Sequence, residues 1–161
     1  MMDEIKVGMA DLATAKPPQV LVTTGLGSCV GVCLLDPLVK VGGLAHIMLP
    51  DSTQARDVQN KAKYADTAIK ILIDEMVNLG AIKRRMVAKI AGGAQMFNFS
   101  GNNSIMKIGE RNVEAVITNL NIWGIPILAQ DTGGNYGRTI YFYPENGQLY
   151  IRTIKYGEKI V

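Results

Sequence analysis

Histidine occurs once in these 161 residues and cysteine twice, and that scarcity narrows the available chemistry. One imidazole and two thiols cannot fill a four-ligand zinc site without scattered carboxylates, so neither a metal nor another cofactor is expected. A disulfide framework is not expected either. Both cysteines fall in "TTGLGSCVGVCLL", residues 23–35. If that stretch is extended, Cys29 and Cys33 stand about 13 Å apart, beyond the roughly 7 Å Cα separation that a disulfide allows. No apolar run approaches the roughly 18 residues of a membrane span, so membrane insertion is not expected. The opening "MMDEIKVGMADLA" carries acids early and lacks an apolar signal core, which makes the cytoplasm the expected location. Charge is sparse in sign: 17 basic against 14 acidic residues leave +3. The basic residues are scattered except for "KRR" at 83–85, which reads as a solvated face at a helix end. No nucleic-acid partner is expected.

What is present fits a single domain spanning 1–161, long enough to bury about two thirds of the surface of its unfolded chain. No linker, repeat or low-complexity tract divides it. "QVLVTT" reads as a strand ending at the Gly25 and Gly27 turn, and "CVGVCLL" as a buried strand broken by Asp36-Pro37. "KVGGLAHIML" follows as its hairpin-like neighbour, closed by Pro50. Apolar residues at 65, 69, 72, 73, 76 and 79 mark one face of a helix, with Gly80 where a C-cap glycine belongs. "MVAKIA" is a strand running into Gly92-Gly93. Val113, Val116, Ile117 and Leu120 mark a second helix, stopped by Gly124 and Pro126. "PILAQ", "RTIYFYP" and "QLYIRTI" complete the strands, the last two joined by "ENG". The expected fold class is α/β, one layered domain of mixed β-sheets with packed helices.

A cysteine nucleophile needs a base, and here His46 is the sole candidate. If the strands around Asp36-Pro37 pair, Cys29 and His46 come to the same end of one sheet. Taken alone, His46 reads as a core histidine bonded to a backbone carbonyl, and Cys29 as a small buried apolar residue. The turn favours chemistry: Gly25 and Gly27 allow positive φ and a close approach of substrate, leaving N–H groups near Cys29, around Gly27 and Ser28, to bind an oxyanion. Those dipoles and His46 are expected to lower the Cys29 pKa and leave it accessible, with Cys33 a buried neutral thiol. A phosphate-loop reading of Gly25-x-Gly27 fails for want of a third glycine or a lysine. Gly92-Gly93 and Gly133-Gly134 could line the same cleft. Met96, Phe97 and Phe99 are either core or partner surface.

Taken together, "GLGSCVGV", "GLAHIMLPDS", "KYADTA", "KIAGGAQMF", "IGERNV" and "DTGGNYGRTI" resemble the CheD family of chemoreceptor glutamine deamidases, in order from about residue 5 to 155. The resemblance implies hydrolysis of glutamine side chains on the cytoplasmic helices of methyl-accepting chemotaxis receptors, a complex with the CheC phosphatase, and a fold related to the catalytic domain of cytotoxic necrotizing factor toxins. It also implies a triad of Cys29, His46 and Thr23. Thr24 is the competing neighbour, since successive strand residues face opposite ways. The alternative is a non-catalytic regulator that binds chemoreceptors and CheC.

Overall fold

The stretch from Val30 to Asp36 lacks the polar alternation of a half-exposed strand because it is buried on both faces. It lies at the centre of a computed structural model that describes residues 3–53, 55, 59–96 and 107–161. The described elements are β1 (Glu4–Lys6), β2 (Leu12–Ala15), β3 (Val20–Leu26), β4 (Val30–Asp36), β5 (Val41–Ile47), α1 (Ala65–Asn78), β6 (Val87–Gly92), α2 (Ile108–Ile122), β7 (Ile127–Thr132), β8 (Arg138–Phe142), β9 (Leu149–Thr153) and β10 (Gly157–Ile160). The strands form two five-stranded sheets, ordered β1-β3-β8-β9-β10 and β2-β5-β4-β6-β7. Both are mixed. β1 runs parallel to β3 and β6 parallel to β7, while the remaining pairs are antiparallel.

Alternation along β4 divides the core in two. Val30, Val32 and Leu34 belong to a cluster with Ile69, Leu72 and Met76 of α1 and Val116 and Leu120 of α2. Cys29, Cys33 and Leu35 pack the other way, against Leu21, Leu26, Ile140 and Phe142 of the first sheet. Helices, second sheet and first sheet are thus stacked in three layers, the mixed α/β arrangement expected.

The sequence-based boundaries differ from the structure where local pattern and tertiary contact disagree. β3 does not end at Gly25 but continues to Leu26, with a register shift against β8 between Thr23 and Leu26 and Gly25 at φ 72°. Leu79, assigned to the buried face of α1, is its C-cap and exposed. On α2 the buried line is Gly109, Asn112, Val116 and Leu120, rotated from the expected one so that a polar residue enters it. "KRR" is only partly a solvated face: Arg85 holds the fully buried Asp36 in an ion pair of 2.8 Å, and Lys83 stands over the Trp123 ring. The short strands β1, β2 and β10 have no counterpart in the sequence reading, being three or four residues long.

Candidate active site

β4 and β5 pair so that Gly31 lies opposite His46. Cys29, two residues before Gly31, therefore falls on the same face and at the same end as the imidazole. Gly31 has no side chain to stand beside His46, and a Cβ there would come within 2.6 Å of Ile140 Cδ1. The third residue arrives from the other sheet. Thr23 on β3 is buried, Thr24 is exposed, and Thr23 Oγ1 lies 2.7 Å from His46 Nδ1.

Hydrogen bonding fixes the tautomer of His46. The Thr23 hydroxyl donates its one hydrogen to the carbonyl of Val7, at 2.7 Å, because a carbonyl can only accept. Toward His46 the same oxygen must accept, so Nδ1 carries the proton and donates. Nε2 is then a lone pair. It is buried and has no hydrogen-bond partner among the described residues, the Cys29 thiol included. A buried ring nitrogen held unprotonated at the same end of the sheet as Cys29 has the form of a general base. Val7 escaped the sequence reading, since a backbone carbonyl leaves no trace in residue type.

The turn that carries Cys29 is held carbonyl by carbonyl. The oxygen of Gly27 accepts from Ala94 N–H and that of Cys29 from Gly93 N–H, both at 2.8 Å. The oxygen of Ser28 accepts from Asn112 Nδ2 at 3.0 Å. Gly27 and Ser28 are half-buried, and among the described residues no carbonyl takes the N–H of Ser28 or of Cys29. Gly92 and Gly93 are required here: both have positive φ, and a Cβ on Gly92 would run into the Cys29 carbonyl oxygen. Gly133 N–H donates to Gly92 O and Gln95 N–H to Gly134 O, so two of the glycine pairs singled out in the sequence do meet. Gly25 lines a separate depression with Tyr136 and Arg138. Met96 is exposed at 45% and lies against Gly27, whereas Phe97 and Phe99 lie outside the described residues.

The expected electrostatics of Cys29 is corrected. Its exposure is 7%, and burial pushes the thiol pKa up, against the pull of its own backbone N–H. Burial also lowers the pKa of His46. Both shifts disfavour charge on the pair, opposite to the lowering expected for Cys29. Cys33 is fully buried and its pKa is raised by desolvation, as expected. The two cysteines are free.

A family model described as "CheD chemotactic sensory transduction" matches residues 48–153. A protein of Syntrophomonas wolfei, named probable chemoreceptor glutamine deamidase CheD, is 57% identical over 157 residues, 98% of each chain. The chain belongs to the CheD family. A CheD named chemoreceptor glutamine deamidase in Halalkalibacterium halodurans is 55% identical over 160 residues, 99% of each chain, and a Desulfitobacterium hafniense CheD, named a probable one, is 55% identical over the whole of both chains. The family-model match begins just past His46, so the sequence around Thr23, Cys29 and His46 is spanned by the full-length CheD relatives and not by that match. Among solved structures, the chain is similar to a Neisseria meningitidis protein of family DUF152, with a TM-score of 0.50 at 8% identity, covering 84% of this chain and 65% of that one. That likeness concerns the fold alone.

Proposed function

We propose that the chain is a chemoreceptor glutamine deamidase in which Cys29 is the nucleophile, His46 the base and Thr23 the residue that orients the base. The observation that carries this reading is the Thr23–His46 bond with its hydroxyl hydrogen spent on Val7, which leaves Nε2 as an acceptor. His46 Nε2 takes the Cys29 proton as sulfur attacks the amide carbon of glutamine, so deprotonation and attack are coupled. The oxyanion is held by the backbone N–H of Cys29, with the Gly27 and Ser28 turn lining the approach. The imidazolium then protonates departing ammonia, and a water activated by the same nitrogen hydrolyses the thioester to glutamate. The hydroxyl of Thr23 is neutral and stabilises the imidazolium less than a carboxylate would, so modest turnover is expected.

The same reading makes residues 1–161 one deamidase domain acting in the cytoplasm, without cofactor, on the cytoplasmic helices of methyl-accepting receptors, with the CheC phosphatase as partner. No helix among the described residues is long and apolar enough to cross a membrane. Mass spectrometry of a receptor fragment incubated with the protein should show glutamine converted to glutamate, and Cys29→Ala should lower the rate by several orders of magnitude while the fold survives. Adding a CheC phosphatase to the same reaction should slow it. Unchanged glutamines, with the fragment nonetheless bound, would favour the non-catalytic regulator; undiminished conversion by Cys29→Ala would remove the mechanism.

A further inference from the structure

The ladder between β4 and β5 ends at the pair Val30 and Ile47. Beyond it the strands part. Met48 and Leu49 turn their N–H groups to the carbonyl of Lys63, while the Cys29 carbonyl turns to Gly93. The result is a fork, with Cys29 on one prong and His46 near the base of the other. Into its mouth α2 sends Asn112, which is fully buried. Its single Nδ2 donates to Ser28 O and to Met48 O, each at 3.0 Å. A carboxamide nitrogen has two hydrogens, so both are spent, one on each prong. The amide orientation is decided by its partners, since a flipped group would set its oxygen against two carbonyl oxygens.

Gly109, three residues earlier on α2, lets the helix come this close. A Cβ there would collide with the carbonyls of Gly93 and Ala94. Asn112 Oδ1 is meanwhile buried without a partner. Of the described side chains, only this atom and His46 Nε2 share that condition, and both belong to the same fork. A buried carboxamide with one end unsatisfied is a poor choice for stability alone. Its two donors, however, do what the missing ladder no longer does: they hold the prongs at one spacing.

We propose that Asn112 is a positioning residue for deamidation, its carboxamide setting the width of the fork and hence the separation of the Cys29 sulfur from His46 Nε2. This rests on Cys29 and His46 being nucleophile and base. Proton transfer needs a heavy-atom approach of about 3 Å, and displacements on the order of 1 Å can cost about 100-fold.

The test compares wild type with Asn112→Asp, which keeps the shape but cannot supply two N–H donors, and with Asn112→Ser, which is smaller and keeps one donor. Arg85→Ala serves as a stability control at the far end of β4. Each is assayed on a receptor fragment for kcat and KM, by thermal melting, and for the pH dependence of Cys29 alkylation by iodoacetamide. Both Asn112 variants should lose roughly 10- to 100-fold in kcat with KM within about twofold, and Cys29 should alkylate more slowly at neutral pH. Arg85→Ala should melt earlier with kcat and alkylation unchanged. Folded Asn112 variants with wild-type kcat and alkylation overturn the proposal, as does a matching kcat loss in Arg85→Ala, or failure of both Asn112 variants to fold. Parallel assays of Cys29→Ala and His46→Ala separate the two levels. If these stay active the triad reading itself falls; if they are dead while Asn112 variants behave as wild type, only the role of Asn112 falls.

Discussion

Thr23 and Thr24 are chemically identical and adjacent, and one of them faces the His46 imidazole while the other faces solvent. Strand alternation guarantees that only one can do so, but sequence alone leaves the parity open; it is the bond to His46 Nδ1 that decides for Thr23. Thr23→Ala should therefore lower kcat by about 10- to 1000-fold, because it removes an orienting acceptor and not a reactant, while Thr24→Ala stays near wild type in the same assay. A stronger effect at Thr24 would contradict the assignment. The pH dependence follows from the proposed base, His46. His46 must be neutral to accept a proton, and burial holds its pKa below the ordinary 6.5. In the proposed role it is thus competent above that value and fails only at lower pH, as the imidazole protonates. The acid limb of kcat/KM should lie below pH 6.5; a limb at or above it would show that burial does not govern His46.

At the scale of elements, the candidate site is made where α2 and β6 press on the turn that carries Cys29. The contact is backbone against backbone, which is why glycines recur in "KIAGGAQMF" and "IGERNV". Gly92 adopts φ 111° with its Cβ position filled by the Cys29 carbonyl, whereas Gly124, at φ 72° after α2, has open space around it. Gly124→Ala should then cost only the left-handed strain of about 1–2 kcal/mol. Gly92→Ala should cost more than that and also displace the turn, lowering deamidation by roughly 100-fold. Thermal melts beside rate measurements check the pair; equal effects of the two substitutions on rate would deny the close packing its role. The glycines were visible in the sequence as turn residues, but which of them bear on the cysteine was not, because φ and neighbouring backbone belong to the fold.

Over the whole molecule, the buried end of β4 opposite the site is tied down by charge. Asp36 is fully buried and accepts from Ile82 N–H, Leu38 N–H and the Arg85 guanidinium. Burial pushes its carboxyl pKa up, yet Arg85 and the two amides outweigh this and hold it below the usual range. A lowered carboxyl pKa stabilises the fold above the unfolded value of about 3.9, and that contribution is lost as pH falls through the folded value. Arg85→Ala should cost roughly 1–3 kcal/mol, short of the full loss of a buried pair because both amides remain. Acid and thermal melts of the variant measure it. A melting temperature equal to that of wild type at neutral pH would show the ion pair to be idle.

The sequence by itself determined the strand and helix cores, the α/β class, the one imidazole and the thiol at a glycine turn, because periodicity and residue type act over a few neighbouring positions. It could also place Cys29 and His46 at one end of a sheet, since a short connection makes adjacent antiparallel strands pair. Only the tertiary structure decided the rest. β3 and β4 follow each other in the chain but enter different sheets, so Thr23 reaches His46 across the layer between them. Asn112 stands 64 residues from Met48 and 84 from Ser28, and its entry into the buried line of α2 depends on how the helix is rotated against β4. The raised pKa of Cys29 is not legible in the sequence for the same reason: desolvation is a property of everything packed around an atom, and no stretch of local sequence contains it.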